Sequence, residues 1–323
     1  MSVSEALKTL SRRECLSEEA ARRVTGALLD GGVPELEEGA LLALLDRRRD
    51  CADELIGSAR ALSARAFQLR VPTGPARPIV LSSCTGIAGG PNLLALLALI
   101  LQRLKLPVLV HGVLSASRRI VAAQILRELG IAPRVTLAQA QQELDAGRVT
   151  FVPTAVLCPG LAHLLALRGR IGFGAFAERM TCLLDPFAGS SLVVIAAADA
   201  EERALLRSVL RDRPGSYLLL GTTHGEAFAD AQCRPSMELL GAGRCELLFD
   251  AEAMPQRHAM RIPETGEPRA TAAWIHGVLG GEHPMPMPIA NQVACCLYGA
   301  GYTFDMNQAK AIAAVQTRSL LAA

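Results

Sequence analysis

The chain has 323 residues, of which 50% are hydrophobic and 4% aromatic, and its formal net charge is +2. A chain of this length and composition can bury a full core, and we expect two domains. The longest apolar run, residues 93–101, is far shorter than the roughly 20 residues of a membrane-spanning helix, and the N-terminus lacks the apolar core of a signal peptide, so we expect a cytoplasmic protein without a membrane partner.

Positive charge is concentrated in the middle of the chain. Residues 71–190 hold 11 Arg or Lys against 5 Asp or Glu, whereas the flanking segments are balanced or slightly acidic. Nearly all of this charge is arginine, which suits bidentate contacts to phosphate, although a GC-rich genome would produce the same composition. The nine cysteines show no Cys-x-x-Cys spacing, so we expect reduced thiols and neither a zinc site nor a disulfide framework.

The first 70 residues are predicted to form four amphipathic helices. Ser17 caps the second helix, Gly31-Gly32 ends it, and Pro34 is placed at the first position of the third, while the fourth is expected from Ala52 to Leu69. Short connections between such helices are typical of a small bundle. Residues 72–78 are rich in Pro and Gly and are interpreted as a domain boundary.

Strands and helices then alternate. The predicted strand Ile79–Leu81 leads into the small-residue loop Ser82–Asn92, and an aliphatic helix spans Leu93–Leu104. A second strand, Val108–Val110, ends at His111-Gly112. Right-handed crossover makes the two strands parallel and puts both loops at one edge of the sheet, which is where open α/β sheets bind anions.

The rest of the chain continues in the same way. Helices are predicted near residues 137–146, 159–171 and 172–184, followed by strands at 192–196, 217–220 and 246–249, with a helix at 200–211. Residues 250–269 are interpreted as a surface loop, and helices at 271–279, 288–300 and 306–320 close the chain.

Several segments resemble the anthranilate phosphoribosyltransferases and the related nucleoside phosphorylases. Thr85-Gly86-Ile87-Ala88-Gly89-Gly90 stands where that family has Gly-Thr-Gly-Gly-Asp, and Val110-His111-Gly112-Val113-Leu114 stands where it has Lys-His-Gly-Asn-Arg. Residues 167–173 and 183–186 resemble two further family segments. The likeness extends over nearly the whole chain and is closest to the divergent YbiB-like branch, whose members are known as nucleic-acid binders.

The resemblance implies an α/β fold with two domains. A discontinuous helical-bundle domain, residues 1–71 completed by about 158–188, would join a mostly parallel α/β domain, residues 72–157 and 189–323. It also implies a homodimer formed through the N-terminal helices.

The same resemblance implies that the transferase chemistry is lost. We interpret as a vestigial phosphate loop the residues Thr85, Gly86, Gly89, Gly90, Asn92, His111 and Gly112. Pro91 removes a backbone donor there, and aliphatic side chains replace the polar residues of the second loop. The family's Asp-Glu metal pair falls at Asp230-Ala231, so we expect no metal site, with Asp230 and Glu226 as its vestiges, and Mg²⁺ only if the protein is a transferase.

We therefore expect a protein that binds DNA or RNA through the phosphate backbone with little sequence preference, because aromatic residues are too few for base stacking to dominate. No catalytic residue is assigned, and the candidate anion-binding residues are Arg118, Arg119, Arg168, Arg170 and Arg179. Arg118 and Arg119 are expected near the start of the helix that ends at Gly130. An active glycosyl- or phosphoribosyltransferase with an altered substrate is the alternative, and a regulatory or structural homodimer is a third possibility.

Overall fold

The computed structural model describes residues 1–48, 50–74, 76–221, 225–253, 262–263 and 266–319. Much of the surface loop predicted at 250–269, and part of the loop that precedes Glu226, lie outside these ranges. Within them, no helix combines the length and the apolar character needed to cross a bilayer.

Four helices form the N-terminal bundle: α1 (Val3–Ser11), α2 (Glu18–Leu29), α3 (Glu35–Asp46) and α4 (Ala52–Ser63). Ser17 caps α2 by accepting a hydrogen bond from the Ala20 backbone N–H, as the sequence indicates. Pro34 is the N-cap of α3 rather than its first helical residue. Helix α4 is shorter than predicted, because the backbone N–H groups of Phe67 and Leu69 bind the Leu157 and Pro186 carbonyls instead of continuing the helix.

The centre of the protein is a seven-stranded sheet. Its strands are β1 (Ile79–Ser83), β2 (Val108–Gly112), β3 (Thr150–Pro153), β4 (Leu192–Ala197), β5 (Ser216–Gly221), β7 (Met237–Gly241) and β8 (Arg244–Phe249), and β6 (Cys233–Arg234) pairs separately with β9 (Glu252–Ala253). The strand order is β3-β2-β1-β4-β5-β7-β8. The first five strands are parallel and the last two antiparallel, so the predicted mostly parallel α/β fold is confirmed.

Helices cover both faces of the sheet. One face is covered by α5 (Leu94–Arg103), α6 (Ala122–Glu128), α12 (Pro268–Gly280), α13 (Met287–Gly299) and α14 (Met306–Ser319). The other face packs against the N-terminal bundle and against α7 (Leu137–Asp145), α8 (Thr154–Leu157), α9 (Pro159–Ile171), α10 (Ala175–Cys182) and α11 (Ala200–Asp212).

Strand side chains alternate between the two resulting cores. Leu81 and Val110 belong to the first core, and Val80 and Leu109 belong to the second. Helices α9 and α10 pack against α2, α3 and α4, and α10 also contacts β1 and β4. Helix α10 therefore lies between the N-terminal bundle and the sheet.

One cysteine pair departs from the expectation of reduced thiols. Cys15 and Cys51 form a disulfide with their Cα atoms 6.0 Å apart, whereas the other seven cysteines are free. The two residues lie in the α1–α2 and α3–α4 connections, 36 positions apart. The expectation is wrong for this pair because helix packing, rather than local spacing, brings the two connections together.

Candidate anion-binding edge of the sheet

The two predicted loops meet where β1 and β2 end. Ser83 is paired with Gly112 in the sheet, and the backbone of Ile87 exchanges two 2.9 Å hydrogen bonds with that of Ile120. Gly112 has a φ of +154°, and a Cβ at this position would lie 1.8 Å from the Ser83 carbonyl oxygen. Glycine is therefore required for the two strand ends to approach so closely.

The carboxylate of Glu226 lies inside the first loop. Its Oε1 accepts hydrogen bonds from the backbone N–H of Gly86 (2.8 Å) and Thr85 (3.1 Å) and from the Thr85 hydroxyl (2.9 Å). Its Oε2 accepts from the Ser83 hydroxyl (2.7 Å) and from the Asn92 side-chain amide (3.0 Å). The side chain is buried, with 1% exposure. The loop thus binds an anion that belongs to the protein itself.

Two loop residues also anchor the neighbouring helices. The Ser83 hydroxyl accepts from the Ala122 backbone N–H (2.9 Å) at the start of α6, and Asn92 Oδ1 accepts from the Leu94 N–H (3.1 Å) at the start of α5. The sequence places Asn92 in the loop but does not predict its bond to Glu226. It gives no signal for Ser83 beyond the position of this residue at a strand end.

Among the described residues, the five groups that bind Glu226 are neutral donors, so these contacts hold the carboxylate through dipoles. Burial raises the pKa of Glu226 above its ordinary value, and the hydrogen bonds from Ser83, Gly86, Asn92 and Thr85 oppose this shift. The same kind of donor set, with backbone N–H groups and hydroxyls converging on one point, binds phosphate oxygens in other proteins.

The described residues around the loop do not fit a Mg²⁺ ion. The oxygens of Glu226 are occupied by the loop donors, and the half-buried Asp230 accepts a hydrogen bond from the Gln232 backbone N–H (2.8 Å). Among the described residues, one group of possible metal ligands lies close enough together to share an ion: Cys15, Cys51 and Glu54. The two sulfurs of this group already form a disulfide. Glu226 therefore serves the loop and is not part of a carboxylate pair.

The second loop presents apolar groups. Leu114 is 53% exposed, and Val113 is half-buried. His111 is fully buried, neither ring nitrogen has a hydrogen-bond partner within the described structure, and burial lowers the pKa of His111 to about 4. His111 is therefore a neutral interior side chain and does not face an external ligand.

Arg118 and Arg119 lie at the loop edge but not in a helix. They belong to a turn closed by a bridge between Ala116 and Arg119, and α6 begins only at Ala122. The two residues are near the start of the helix, as expected, but they precede its first turn, because Arg118 has a φ of +57°, which a helix cannot contain. Arg118 is exposed, and the half-buried Arg119 donates to the Thr85 carbonyl oxygen (3.5 Å).

Arg168 is close to the same edge and is already paired. Its guanidinium forms an ion pair with Glu178 on α10, and the Glu178 carbonyl oxygen is 3.7 Å from the Cys84 sulfur at the end of β1. Burial raises the pKa of Glu178, and the charges of Arg168 and Arg119 lower it, so both arginines act on this carboxylate. We call Arg118, Arg119 and Arg168 the rim arginines.

The remaining two candidates lie elsewhere. Arg170 is exposed and pairs with Glu35 at the start of α3, on the N-terminal bundle. Arg179 is 6% exposed, forms a 3.1 Å ion pair with Glu202, and donates to the Arg48 carbonyl oxygen (3.3 Å). The prediction that Arg179 contacts an external anion is wrong, because α10 buries this side chain against the rest of the protein.

The fold and the loop edge together define a phosphoribosyltransferase-like α/β protein. The structure of anthranilate phosphoribosyltransferase (TrpD) from Thermus thermophilus superposes with a TM-score of 0.76 over 98% of this chain and 97% of that one, at 24% identity. In a sequence comparison, the Thermus thermophilus enzyme is 29% identical over 315 residues, covering 96% of this chain and 93% of the relative. No protein-family model matches the chain.

A second relative shows to which branch of the phosphoribosyltransferase-like proteins the chain belongs. YbiB of Escherichia coli (strain K12) is 32% identical over 287 residues, which cover 88% of this chain and 89% of YbiB. The chain therefore belongs to the YbiB family, a branch with the anthranilate phosphoribosyltransferase-like fold.

Proposed function

We propose that this protein binds nucleic acid through the phosphate backbone and does not transfer phosphoribosyl groups. The observation behind the proposal is the pair Arg118 and Arg119, which form no ion pair in the described part of the chain and lie beside a loop whose anion position is filled by Glu226. A guanidinium outside any ion pair can bind a phosphate bidentately without first giving up a carboxylate partner.

The form of binding follows from the residues at the edge. Arginines contact phosphates and supply affinity without reading bases, so unrelated sequences should bind alike. Arg168 can join only by sharing its guanidinium with Glu178, and therefore contributes less than the other two rim arginines.

The direct test is the double variant Arg118→Asn/Arg119→Gln. Asparagine tolerates the left-handed backbone of Arg118 better than alanine does, so the turn should persist. The variant should bind two unrelated single-stranded DNA oligonucleotides more weakly, and by equal factors. Each phosphate contact contributes roughly −0.7 to −0.9 to the slope of log affinity against log salt concentration. Because the variant loses up to two contacts, its slope should be shallower by up to about two of these increments. Fluorescence anisotropy at several salt concentrations measures both quantities.

The chain offers a matched control. Lys105 has the same backbone conformation as Arg118, with a φ of +63°, and Arg127 lies at the end of α6, so both residues are at the opposite edge of the sheet. Lys105→Asn/Arg127→Gln removes the same charge from exposed positions and should leave the affinity and the salt slope nearly unchanged. Equal losses in the two double variants would mean that net charge, and not the loop edge, determines binding.

The alternative function is phosphoribosyl or glycosyl transfer, favoured by the similarity to the Thermus thermophilus enzyme. Against it stand the loop filled by Glu226 and the apolar second loop. We expect no heat of binding when phosphoribosyl pyrophosphate and Mg²⁺ are titrated into the protein. A micromolar dissociation constant in that calorimetric titration would favour the transferase instead.

A further inference from the structure

The bond pattern of Glu226 is unusual for a glutamate in a protein core. A buried carboxylate is normally compensated by a cationic side chain, whereas the five groups that bind Glu226 in the described part of the chain are neutral N–H and O–H donors. These donors come from a short segment, residues 83–92, and the carboxylate comes from a segment about 140 positions later. The loop and the carboxylate that it binds therefore come from separate segments of the chain.

The loop is also held by contacts that do not involve the carboxylate. Gly86 has a φ of +68°, and a Cβ at this position would lie 3.0 Å from the Arg119 Cβ and 3.2 Å from the Ile120 carbonyl oxygen. The backbone bonds between Ile87 and Ile120 and the bond from Ala122 to the Ser83 hydroxyl hold the loop from outside. Buried donors that converge in this way need an acceptor, because unpaired buried donors are costly.

We propose that Glu226 is a resident anion that occupies a phosphate-binding site. Its two oxygens take the places of two phosphate oxygens, and the site is thereby closed to phosphorylated small molecules. Removing the carboxylate leaves the donor set intact and creates a site for a free phosphate ion. The proposal does not depend on nucleic-acid binding, which uses side chains on the outer side of the loop edge.

A pocket lies next to the loop. It has a volume of about 290 Å³ and is lined by Gly89 and Gly90 of the loop and by Phe228 and Asp230 of the segment that carries Glu226. The groups that donate to Glu226 are not among its lining residues, so the site proposed for phosphate is the space of the Glu226 side chain and not the pocket itself.

The variant Glu226→Ala tests the proposal, with inorganic phosphate as the probe. Its thermal midpoint should rise by several degrees with increasing phosphate concentration, relative to sodium chloride at the same ionic strength, because a ligand that binds only the folded state stabilises it. Saturable broadening of the phosphate ³¹P resonance should accompany the rise. The wild type should show neither effect.

The matched control is Glu226→Gln. The glutamine side chain fills the same volume, but its NH₂ group faces donors, so the variant should be destabilised without responding to phosphate. If Glu226→Ala does not fold in chloride buffer, its folding should be restored by phosphate, and Glu226→Ser, which leaves a similar void, should behave likewise.

Three results overturn the proposal. The first is a folded Glu226→Ala protein that shows no specific response to phosphate. The second is failure of both Glu226→Ala and Glu226→Ser to fold in either buffer, since a site that accepts phosphate would restore folding. The third is phosphate binding to the wild type at the loop with Glu226 still in place.

Discussion

At the residue scale, two buried titratable side chains near the loop edge, Glu226 and His111, are accommodated in different ways. Glu226 finds five donors, so its carboxylate can be buried. His111 finds no partner for either ring nitrogen within the described structure and is buried as the neutral imidazole. The β2 strand fixes this outcome, because alternation along the strand turns His111 to the same side as Leu109, into the second core.

His111 should therefore make the folded protein sensitive to acid. Its pKa is lowered from 6.5 to about 4. Unfolded His111 takes up a proton below pH 6.5, so the stability associated with the neutral ring is lost as the pH falls from about 6.5 to about 4. The difference corresponds to about 3 kcal/mol of unfolding free energy. His111→Leu should remove this part of the pH dependence, as measured by urea unfolding at pH 7 and at pH 4.

The exposed His276 provides the comparison. His276→Asn should retain the acid sensitivity of the wild type. A His111→Leu protein that loses as much stability as the wild type between pH 7 and pH 4 would show that His111 gains a partner, such as an internal water, when it is charged.

At the element scale, two glycines set how closely the helices of the N-terminal bundle and α9 approach. A Cβ at Gly57 of α4 would lie 2.0 Å from the Glu18 carbonyl oxygen, and one at Gly160 of α9 would lie 1.9 Å from the Leu29 carbonyl oxygen. Both contacts are made to the backbone of α2, which cannot move aside as a side chain can. Helix α2 is therefore closely packed between α4 and α9.

Gly160→Ala should destabilise the protein by disturbing the packing of α9 against α2. Overpacking of this kind costs roughly 1–3 kcal/mol, and contact with the backbone favours the upper part of that range. Gly39 in α3 has no atom within 4 Å of a Cβ position, so Gly39→Ala should instead stabilise the protein by roughly 0.5–1 kcal/mol. Guanidinium unfolding measures both values. Equal effects of the two substitutions would contradict the close approach of α9 to α2.

Some helices and strands could be predicted from the sequence more closely than others. The aliphatic run of α5 and the strands β1 and β2 were predicted within two residues, because Gly and Pro mark their ends. Strand β7 was missed: its Glu238 interrupts the apolar pattern and is buried only because Arg203 and Arg207 of α11 pair with it. Such compensation comes from a distant element and leaves no local pattern.

The same limit applies to the candidate site. The glycines and the strand ends predicted where the loop edge lies, since these features are local. The filling of the loop by Glu226, the burial of Arg179 and the pairing of Arg168 with Glu178 depend on segments that meet only in the fold. The family resemblance therefore implied a vestigial metal ligand at Glu226, where the structure has a buried carboxylate held by the loop.

At the scale of the whole molecule, most leucines of the N-terminal bundle are internal. Leu10, Leu41, Leu42 and Leu45 are all buried, so they do not require a second chain. One stripe on α3 remains uncovered: Leu36 is 83% exposed, Ala40 is exposed, and Leu44 is half-buried. These positions are four residues apart and lie on one helix face.

We predict that this stripe is the contact of a homodimer, since an exposed apolar helix face gains stability by packing against its own copy around a two-fold axis. Sedimentation equilibrium should give twice the 34.2 kDa chain mass for the wild type. Leu36→Glu should shift the protein to the monomer mass, because the introduced charges would face each other across the axis. Val315→Glu puts the same charge at a 61% exposed apolar position of α14 and should leave the dimer intact. A wild-type monomer at micromolar concentration would exclude the dimer. A Leu36→Glu variant that remains dimeric would place the contact elsewhere.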